Sequence, residues 1–247
     1  MWLRLRGRHA LGISLIYVLC IAASAAQAED GFRLLQIDGH VMKWGPPRFG
    51  QGATLTYAVA LRNARVHGTV NCTKIAPVGR LLEHSGLTSQ SFDMELRAAF
   101  AMWEAAANIR FVPAKSLAKA NLLIAAEAVP DGIAYADVTP ASSKMEQISS
   151  TKKGIVCLNP LLAWTIAGKS TQGDGQTSYR LKYVLAHEIG HVLGLDHPGP
   201  SGELMSFEYT TGSNGLQVGD IAGIVTLYGR AKAAPLVALN GAKAAAP

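Results

Sequence analysis

Apolar and polar positions along the chain change period several times, and each change predicts a different element of secondary structure. Alternating or uniformly apolar runs of four to seven residues predict five strands, over residues 55–60, 109–112, 121–125, 132–138 and 155–158. Glycine and proline interrupt the pattern over residues 61–91, so we expect an irregular segment there.

Helical spacing replaces the strand pattern in three places. Apolar residues recur at intervals of three and four over residues 92–107, with Ser91 as a candidate N-cap. Residues 178–193 predict a second long helix, and residues 218–227 predict a C-terminal helix. Strands on both sides of a long helix are typical of an α+β domain built on a mixed sheet.

The two ends of the chain differ in composition from this domain. Residues 1–28 carry three arginines, an apolar run too short for a comfortable membrane span and a small-residue cleavage pattern. We therefore expect a signal peptide and a secreted or periplasmic protein; an uncleaved anchor is the alternative. Residues 29–229 form the predicted domain, and the Ala-rich tail, residues 230–247, is expected to be disordered.

The remaining charge is small and scattered. Without the three arginines of residues 1–28, 23 basic residues become 20 against 17 acidic ones, a formal charge of +3. This balance gives no support to nucleic-acid binding, and no later segment predicts a stable membrane span. Two cysteines, Cys72 and Cys157, remain after the signal, and an oxidising compartment favours a pair over free thiols.

Residues 187–197, HEIGHVLGLDH, carry the spacing of a metal site. His187 and His191 are four residues apart, so a helix places both on one face, one turn apart. Gly194 suits a left-handed helix end, after which the chain can bring His197 back as a third ligand. Three histidines leave a fourth zinc position for water, as in catalytic zinc sites.

Glu188 lies beside the first of these histidines, where it can approach a water without binding the metal. The alternative is a helix with ordinary core or surface histidines. It must explain why three of the six histidines after residue 28 fall within eleven residues. The other three, His40, His67 and His84, have no partners at such spacing.

This stretch resembles the metzincin signature HExxHxxGxxH of zinc endopeptidases. Met205, eight residues after His197, is similar to the Met-turn of the matrixins, in which a methionine forms an apolar base under the metal. Further segments resemble matrixin strands and helices in the same order: residues 55–57, 98–103, 120–124, 220–224 and 227–229. The resemblance implies a metzincin-like catalytic domain with a twisted mixed sheet, two long helices and a C-terminal helix.

The resemblance also implies a substrate site for peptides or proteins. Ile133 and Ala134 belong to the strand along which the family holds an extended peptide, and Tyr209 matches the tyrosine that lines the S1′ pocket. Two residues depart from the pattern. Pro198 follows the third histidine as in serralysins, and Phe207 stands where serralysins and astacins have a tyrosine that can join the zinc shell.

The expected metal content is one catalytic zinc. Animal matrixins hold a second, structural zinc, but Tyr135 and Cys157 occupy the corresponding places here. Calcium is doubtful, because Asp131, Asp137 and Asp174 are too scattered to predict an oxygen cage.

The sequence leaves alternatives open for the role of Cys72 and for the function of the protein. No cysteine-switch prosegment and no hemopexin domain are expected. Cys72 either forms a disulfide with Cys157, which is the favoured role, or binds the zinc as a blocking thiolate. The resemblance implies a monomeric endopeptidase with Glu188 as general base. The alternatives are a catalytically silent zinc-binding interaction module and a zinc hydrolase that acts on cell-wall peptides.

Overall fold

The computed structural model describes residues 31–141, 147–166, 178–199, 202–207 and 215–232. The predicted signal peptide and nearly all of the predicted tail lie outside these residues. None of the helices described is long and apolar enough to cross a membrane.

The described residues contain strands that are mostly short and helices of seven to eighteen residues. The strands are β1 Arg33–Leu34, β2 Gln36–Ile37, β3 His40–Lys43, β4 Ala53–Val59, β5 Ala64–Arg65, β6 Lys74–Ala76, β7 Ile109–Pro113, β8 Leu122–Glu127, β9 Ala134–Pro140, β10 Ile148–Leu158, β11 Ala163–Thr165, β12 Ser178–Arg180 and β13 Leu195–Asp196. The helices are α1 Gly79–Ser85, α2 Ser89–Ala106, α3 Leu181–Leu193 and α4 Val218–Tyr228, with a 3₁₀ turn at Leu117–Lys119.

A mixed sheet forms the centre of the fold. Strands β7, β4, β8 and β10 lie side by side and run parallel. Strand β9 pairs antiparallel with β10, and β10 is its only partner among the described strands, so β9 forms an edge. The prediction of an α+β domain with a mixed sheet, two long helices and a C-terminal helix is confirmed.

Buried tryptophans and a tyrosine fix helix α3 in the core. Indole N–H groups donate to helix carbonyls from two sides, Trp103 to Ala186 at 3.0 Å and Trp44 to Val192 at 2.8 Å. The hydroxyl of Tyr228, on α4, donates to the carbonyl of Leu193 at 2.7 Å. Helix α3 is therefore held on its buried side by directional bonds as well as by apolar packing.

The predicted elements differ from the structure mainly at their ends. Helix α2 begins at Ser89, because Thr88 is the N-cap and Ser91 lies at N3. The two residues form a capping box, in which each side chain accepts the other's backbone N–H. The prediction of Ser91 as the N-cap is therefore wrong, although Ser91 takes part in the capping box.

The segment 61–91 contains regular structure that glycine and proline conceal in the sequence. It holds the β5–β6 hairpin and helix α1, although the sequence predicts an irregular segment. Cys72, in the loop between the two strands, forms a disulfide with Cys157 on β10. Strands of two or three residues are too short to show a hydrophobic period. They are held in place by contacts with residues that are distant in the sequence.

Candidate metal centre

Helix α3 and the turn after it bring three imidazoles together. His187 and His191 lie one turn apart on α3, and His197 follows the short strand β13. Their Nε2 atoms form a triangle in which each pair is 3.1 Å apart. Among the described residues these histidines are the one group of three or more His, Cys, Asp or Glu side chains close enough to share a metal ion.

The opposite ring nitrogens fix the tautomer of two of these histidines. Nδ1 of His187 lies 2.7 Å from the carbonyl oxygen of Leu204, and Nδ1 of His191 lies 2.9 Å from that of Leu195. A carbonyl only accepts, so Nδ1 carries the proton and Nε2 presents a lone pair. Lone pairs that face one another at this distance repel, and a cation between them removes the conflict.

Burial keeps the imidazoles neutral. It lowers the pKa of His187 to about 4 and that of His191 to about 3, and it also lowers the pKa of His197. Neutral imidazole is the form that binds metal. Nitrogens this close together can all reach one ion at the usual zinc–nitrogen distance of about 2.0–2.1 Å. The donor set therefore fits zinc.

Gly194 allows the chain to turn back toward the histidine cluster after α3. It ends α3 with a φ of 103°, in the left-handed region. A Cβ at this position would lie 2.1 Å from the carbonyl oxygen of Met42, so close approach as well as conformation requires glycine. Strand β13 then pairs with β1. Arg33 on β1 donates at 2.8 Å to Asp196, the residue that precedes His197.

Met205 lies buried against the same helix. A Cβ on Gly190 would approach its sulfur to 2.3 Å, so the helix backbone and the Met205 side chain are in close contact. Asp220, on α4, accepts hydrogen bonds from the backbone N–H groups of Leu204 and Met205 at 2.8 and 3.0 Å. Helix α4 thereby holds the turn whose carbonyl contacts His187.

A cleft of about 720 Å³ opens over the three histidines. Glu188, Ile133 and Ala134 line it together with the imidazoles. Phe207 also lines the cleft, and its ring meets that of His197 edge to face at 5.2 Å. Tyr209, the candidate for the S1′ pocket, lies outside the described residues.

Glu188 is a buried carboxyl in this cleft, only 7% exposed. Burial raises its pKa to about 8, and the charge of Glu127 adds to the rise. A cation bound by the neighbouring imidazoles would act in the opposite direction and favour the carboxylate. The protonation state of Glu188 therefore depends on its burial, on Glu127 and on whether a cation is bound beside it.

Two of the three candidate calcium ligands accept hydrogen bonds from backbone N–H groups. Asp137 accepts from the N–H groups of Asn71 and Cys72 at 3.0 and 2.7 Å, and Asp131 accepts from the N–H of Gly132. Asp174 lies outside the described residues. Tyr135, at the place of a structural zinc ligand, lies opposite Cys157 in the β9–β10 register.

Several residues around the site carry no signal in the sequence. Asp220 is buried and accepts a hydrogen bond from the backbone of Leu204, and the charge of buried Glu127 raises the pKa of Glu188. Gly190 stands inside the HEIGH stretch, but nothing in the spacing indicates that Met205 packs against it. Only the position of Gly190 between the two helical histidines could have drawn attention to it.

Comparison with known proteins points to one family. The matrixin family matches residues 80–229. Metalloendoproteinase 1-MMP of Arabidopsis thaliana is 29% identical over 147 residues, 58% of this chain and 39% of the plant protein. Metalloendoproteinase 1 of Glycine max is 29% identical over 141 residues, 56% of this chain and 46% of that protein.

A viral protein shows a shorter match. Probable matrix metalloproteinase 095L of Invertebrate iridescent virus 3 is 32% identical over 87 residues, 35% of this chain and 23% of the viral protein. The matched regions thus span less than half the length of each of these relatives. The family match itself covers more than half of this chain and includes the three histidines, and the chain therefore belongs to the matrixin family of metallopeptidases.

Proposed function

We propose that this protein is a secreted, zinc-dependent endopeptidase that hydrolyses internal peptide bonds. The observation that carries the proposal is the convergence of three neutral Nε2 atoms, each 3.1 Å from the other two, on a cleft that Glu188 also lines. Membership of the matrixin family and the names of the plant relatives, both metalloendoproteinases, support it.

His187, His191 and His197 would hold the zinc ion. Bound there, zinc would polarise the scissile carbonyl and lower the pKa of water. Met205 would supply an apolar base for the site, because it is buried against α3 and away from the solvent in the cleft. The carbonyls of Leu204 and Leu195 would orient two of the imidazoles by accepting their Nδ1–H protons.

Glu188 would act as the general base and then as the general acid. It accepts the proton of the attacking water and delivers this proton to the nitrogen of the leaving amine. Its buried position in the cleft beside His187 supports this role, because a cation held by the imidazoles would favour the carboxylate form that accepts the proton.

The edge strand β9 and the residue before it would bind the substrate backbone. An extended peptide can add to a free sheet edge through main-chain hydrogen bonds, and Ile133 and Ala134 line the cleft at the start of this strand. Tyr209 is the proposed contact for the side chain that follows the scissile bond. A medium or large apolar residue is expected there from the family resemblance.

One screen tests this function against its alternatives. The purified protein is incubated with casein and with peptidoglycan fragments, after treatment with a zinc chelator and after zinc is restored. We expect zinc-dependent cleavage of internal bonds in casein. Cleavage of the cell-wall peptides alone would indicate the other hydrolase, and bound zinc without any cleavage would indicate a binding module.

Secretion has a separate test. The protein is expressed in a host with a general secretion pathway, and the N-terminus of the exported form is sequenced. We expect the exported form to begin at Glu29, directly after the predicted signal peptide. A membrane-bound form that retains Met1 would indicate the uncleaved anchor.

A further inference from the structure

Asn159 is a buried residue directly behind the turn that leads into β9. It is 7% exposed and follows Leu158, the last residue of β10. Gly132 and Ile133, in the turn before β9, line the cleft together with the three histidines. Asn159 lies outside the lining of the cleft, so any effect it has on a bound peptide passes through these residues.

Two groups of Asn159 donate hydrogen bonds to this turn. The side-chain Nδ2 donates to the carbonyl of Gly132 at 2.8 Å, and the backbone N–H donates to the carbonyl of Ile133 at 3.0 Å. The second bond continues the β9–β10 pairing by one residue beyond Leu158 and Ala134. Two consecutive carbonyls before the edge strand are therefore held by one residue.

The other two polar groups of Asn159 fix the residue itself. Its Oδ1 accepts from the backbone N–H of Leu161 at 2.9 Å, and its backbone carbonyl accepts from the indole N–H of Trp164 at 2.8 Å. A backbone N–H only donates and a carbonyl only accepts, so Leu161 and Gly132 together define the orientation of the amide. The side chain therefore cannot rotate without the loss of a buried hydrogen bond.

The turn before β9 is also held from its other end. The N–H of Asp131 donates to the carboxylate of Glu127 at the end of β8. Gly132 has a φ of 60°, in the left-handed region, and a Cβ there would lie 2.6 Å from the hydroxyl oxygen of Tyr135. Residues 131–133 thus have a defined conformation, to which the amide of Asn159 contributes a side-chain bond.

Trp164 connects Asn159 to the segment that begins helix α3. It is 2% exposed and lies in β11, which pairs with β12. The last residue of β12, Arg180, directly precedes α3, the helix that carries His187 and His191. The bonds of Asn159 therefore join the start of the edge strand to the support of the histidine cluster.

We propose that Asn159 is a positioning residue, which holds the start of the substrate-binding edge at a fixed place relative to the histidine cluster through the carbonyls of Gly132 and Ile133. This proposal rests on the endopeptidase function proposed above. The substrate backbone contacts this edge both before and during the reaction. Loosening the edge should therefore raise KM more than it lowers kcat.

Asn159→Ser isolates the side-chain bond to Gly132. A serine hydroxyl can accept from the N–H two residues later, as the Asn159 side chain does from Leu161, but it is too short to reach Gly132. We expect KM for a quenched peptide long enough to pair with β9 to rise about tenfold. The change in kcat should stay below about twofold.

A small metal-binding inhibitor separates positioning from damage to the histidine cluster. Acetohydroxamate chelates a metal ion and is too small to pair with the edge strand, so its inhibition constant should not change in Asn159→Ser. Asn159→Asp offers a second way to remove the donor while the size of the side chain is kept. It should show the same rise in KM at alkaline pH, where the carboxylate has no proton to donate.

Asn121→Ser is the matched control. Asn121 also bridges two segments, because its Oδ1 accepts from the backbone N–H of Thr56 on β4 at 3.1 Å, but it lies outside the lining of the cleft. Circular dichroism gives Tm for each variant, and the kinetics are measured well below the lowest of these temperatures. Asn121→Ser should lose stability without a change in KM.

Four outcomes decide the proposal. A rise in KM confined to the Asn159 variants, with unchanged inhibition by acetohydroxamate, supports it. Equal changes in the Asn159 and Asn121 variants, or a parallel loss of inhibition, would indicate a general structural defect and overturn the positioning role. A wild-type KM in folded Asn159→Ser also overturns this role and leaves the endopeptidase function intact. A wild-type protein that cleaves neither the peptide nor casein overturns both proposals.

Discussion

Asp220 accepts the backbone N–H of Leu204 at 2.8 Å, and this bond connects the C-terminal helix to the histidine cluster. The carbonyl of the same Leu204 accepts from Nδ1 of His187 at 2.7 Å. A side chain outside the histidine cluster thus helps to hold the carbonyl that orients the ring of His187. Asp220 is 1% exposed, so its bonds are protected from competition with water.

Replacing Asp220 should therefore weaken the metal site. Asp220→Asn exchanges one acceptor oxygen for a donor and leaves at least one buried N–H of Leu204, Met205 or Gln217 unpaired, at a cost of about 1–3 kcal/mol. We expect zinc affinity, measured by competition with a chelating dye, to fall about 10–100-fold. Asp93→Asn, on the exposed side of α2, is the control. An unchanged affinity would contradict this role.

The cluster of three histidines is predictable from the sequence because its members are close together in the chain. A helix fixes the relative positions of His187 and His191, and Gly194 provides the turn that His197 needs. The conformation at Gly194 is the one that the sequence predicts, with a positive φ. Ile133 and Ala134 needed the resemblance to a family, because no local period relates a strand to a helix fifty residues later.

The supporting residues could not be predicted in this way. Asp220 and Leu204 are sixteen residues apart, with no repeat between them. Asp137 and Cys72 are separated by sixty-five residues, and their contact exists only once the hairpin lies on β9. Such contacts depend on how the elements are arranged in space, which hydrophobic periodicity does not encode.

Substitutions of Glu188 and His191 should separate chemistry from metal binding. Glu188→Ala is expected to keep one zinc per chain and to lose at least about 100-fold in kcat, since it removes the group that moves the proton. His191→Ala removes a ligand and should lose the metal itself. Elemental analysis and peptide hydrolysis measure the two effects. Retained hydrolysis by Glu188→Ala would exclude it as the general base.

A substitution of Gly190 tests the contact between helix α3 and Met205. Gly190→Ala should gain about 1 kcal/mol of helix propensity, but the new Cβ would lie 2.3 Å from the sulfur of Met205 and 2.9 Å from a ring carbon of Trp103. Overpacking of this kind costs about 1–3 kcal/mol or more. We expect a net fall in Tm.

Gly79→Ala is the matched control for Gly190→Ala. Gly79 is also helical, and a Cβ there meets no atom of the described part of the chain within 4 Å. Its Tm should therefore stay the same or rise slightly. If Gly190→Ala changed Tm no more than Gly79→Ala does, the close approach of Met205 to the helix would not limit stability.

Glu127 should make the stability of the fold depend on pH. It is 5% exposed, its Oε1 has no hydrogen-bond partner among the described residues, and burial raises its pKa from 4.5 to about 7. The folded state therefore favours the protonated form, so the stability that this group contributes is complete below about pH 4.5 and is lost as the pH rises through 7. The second oxygen accepts from the N–H of Asp131, which an amide oxygen can replace.

Glu127→Gln should accordingly be more stable than the wild type at pH 8 by about 1–3 kcal/mol, with a difference that shrinks toward pH 5. Urea unfolding at pH 5, 6.5 and 8 measures the difference directly. Glu83→Gln, at an exposed position on α1, serves as the control and should follow the wild type at every pH. A constant difference between Glu127→Gln and the wild type across this range would show that the Glu127 carboxyl does not titrate differently in the folded state.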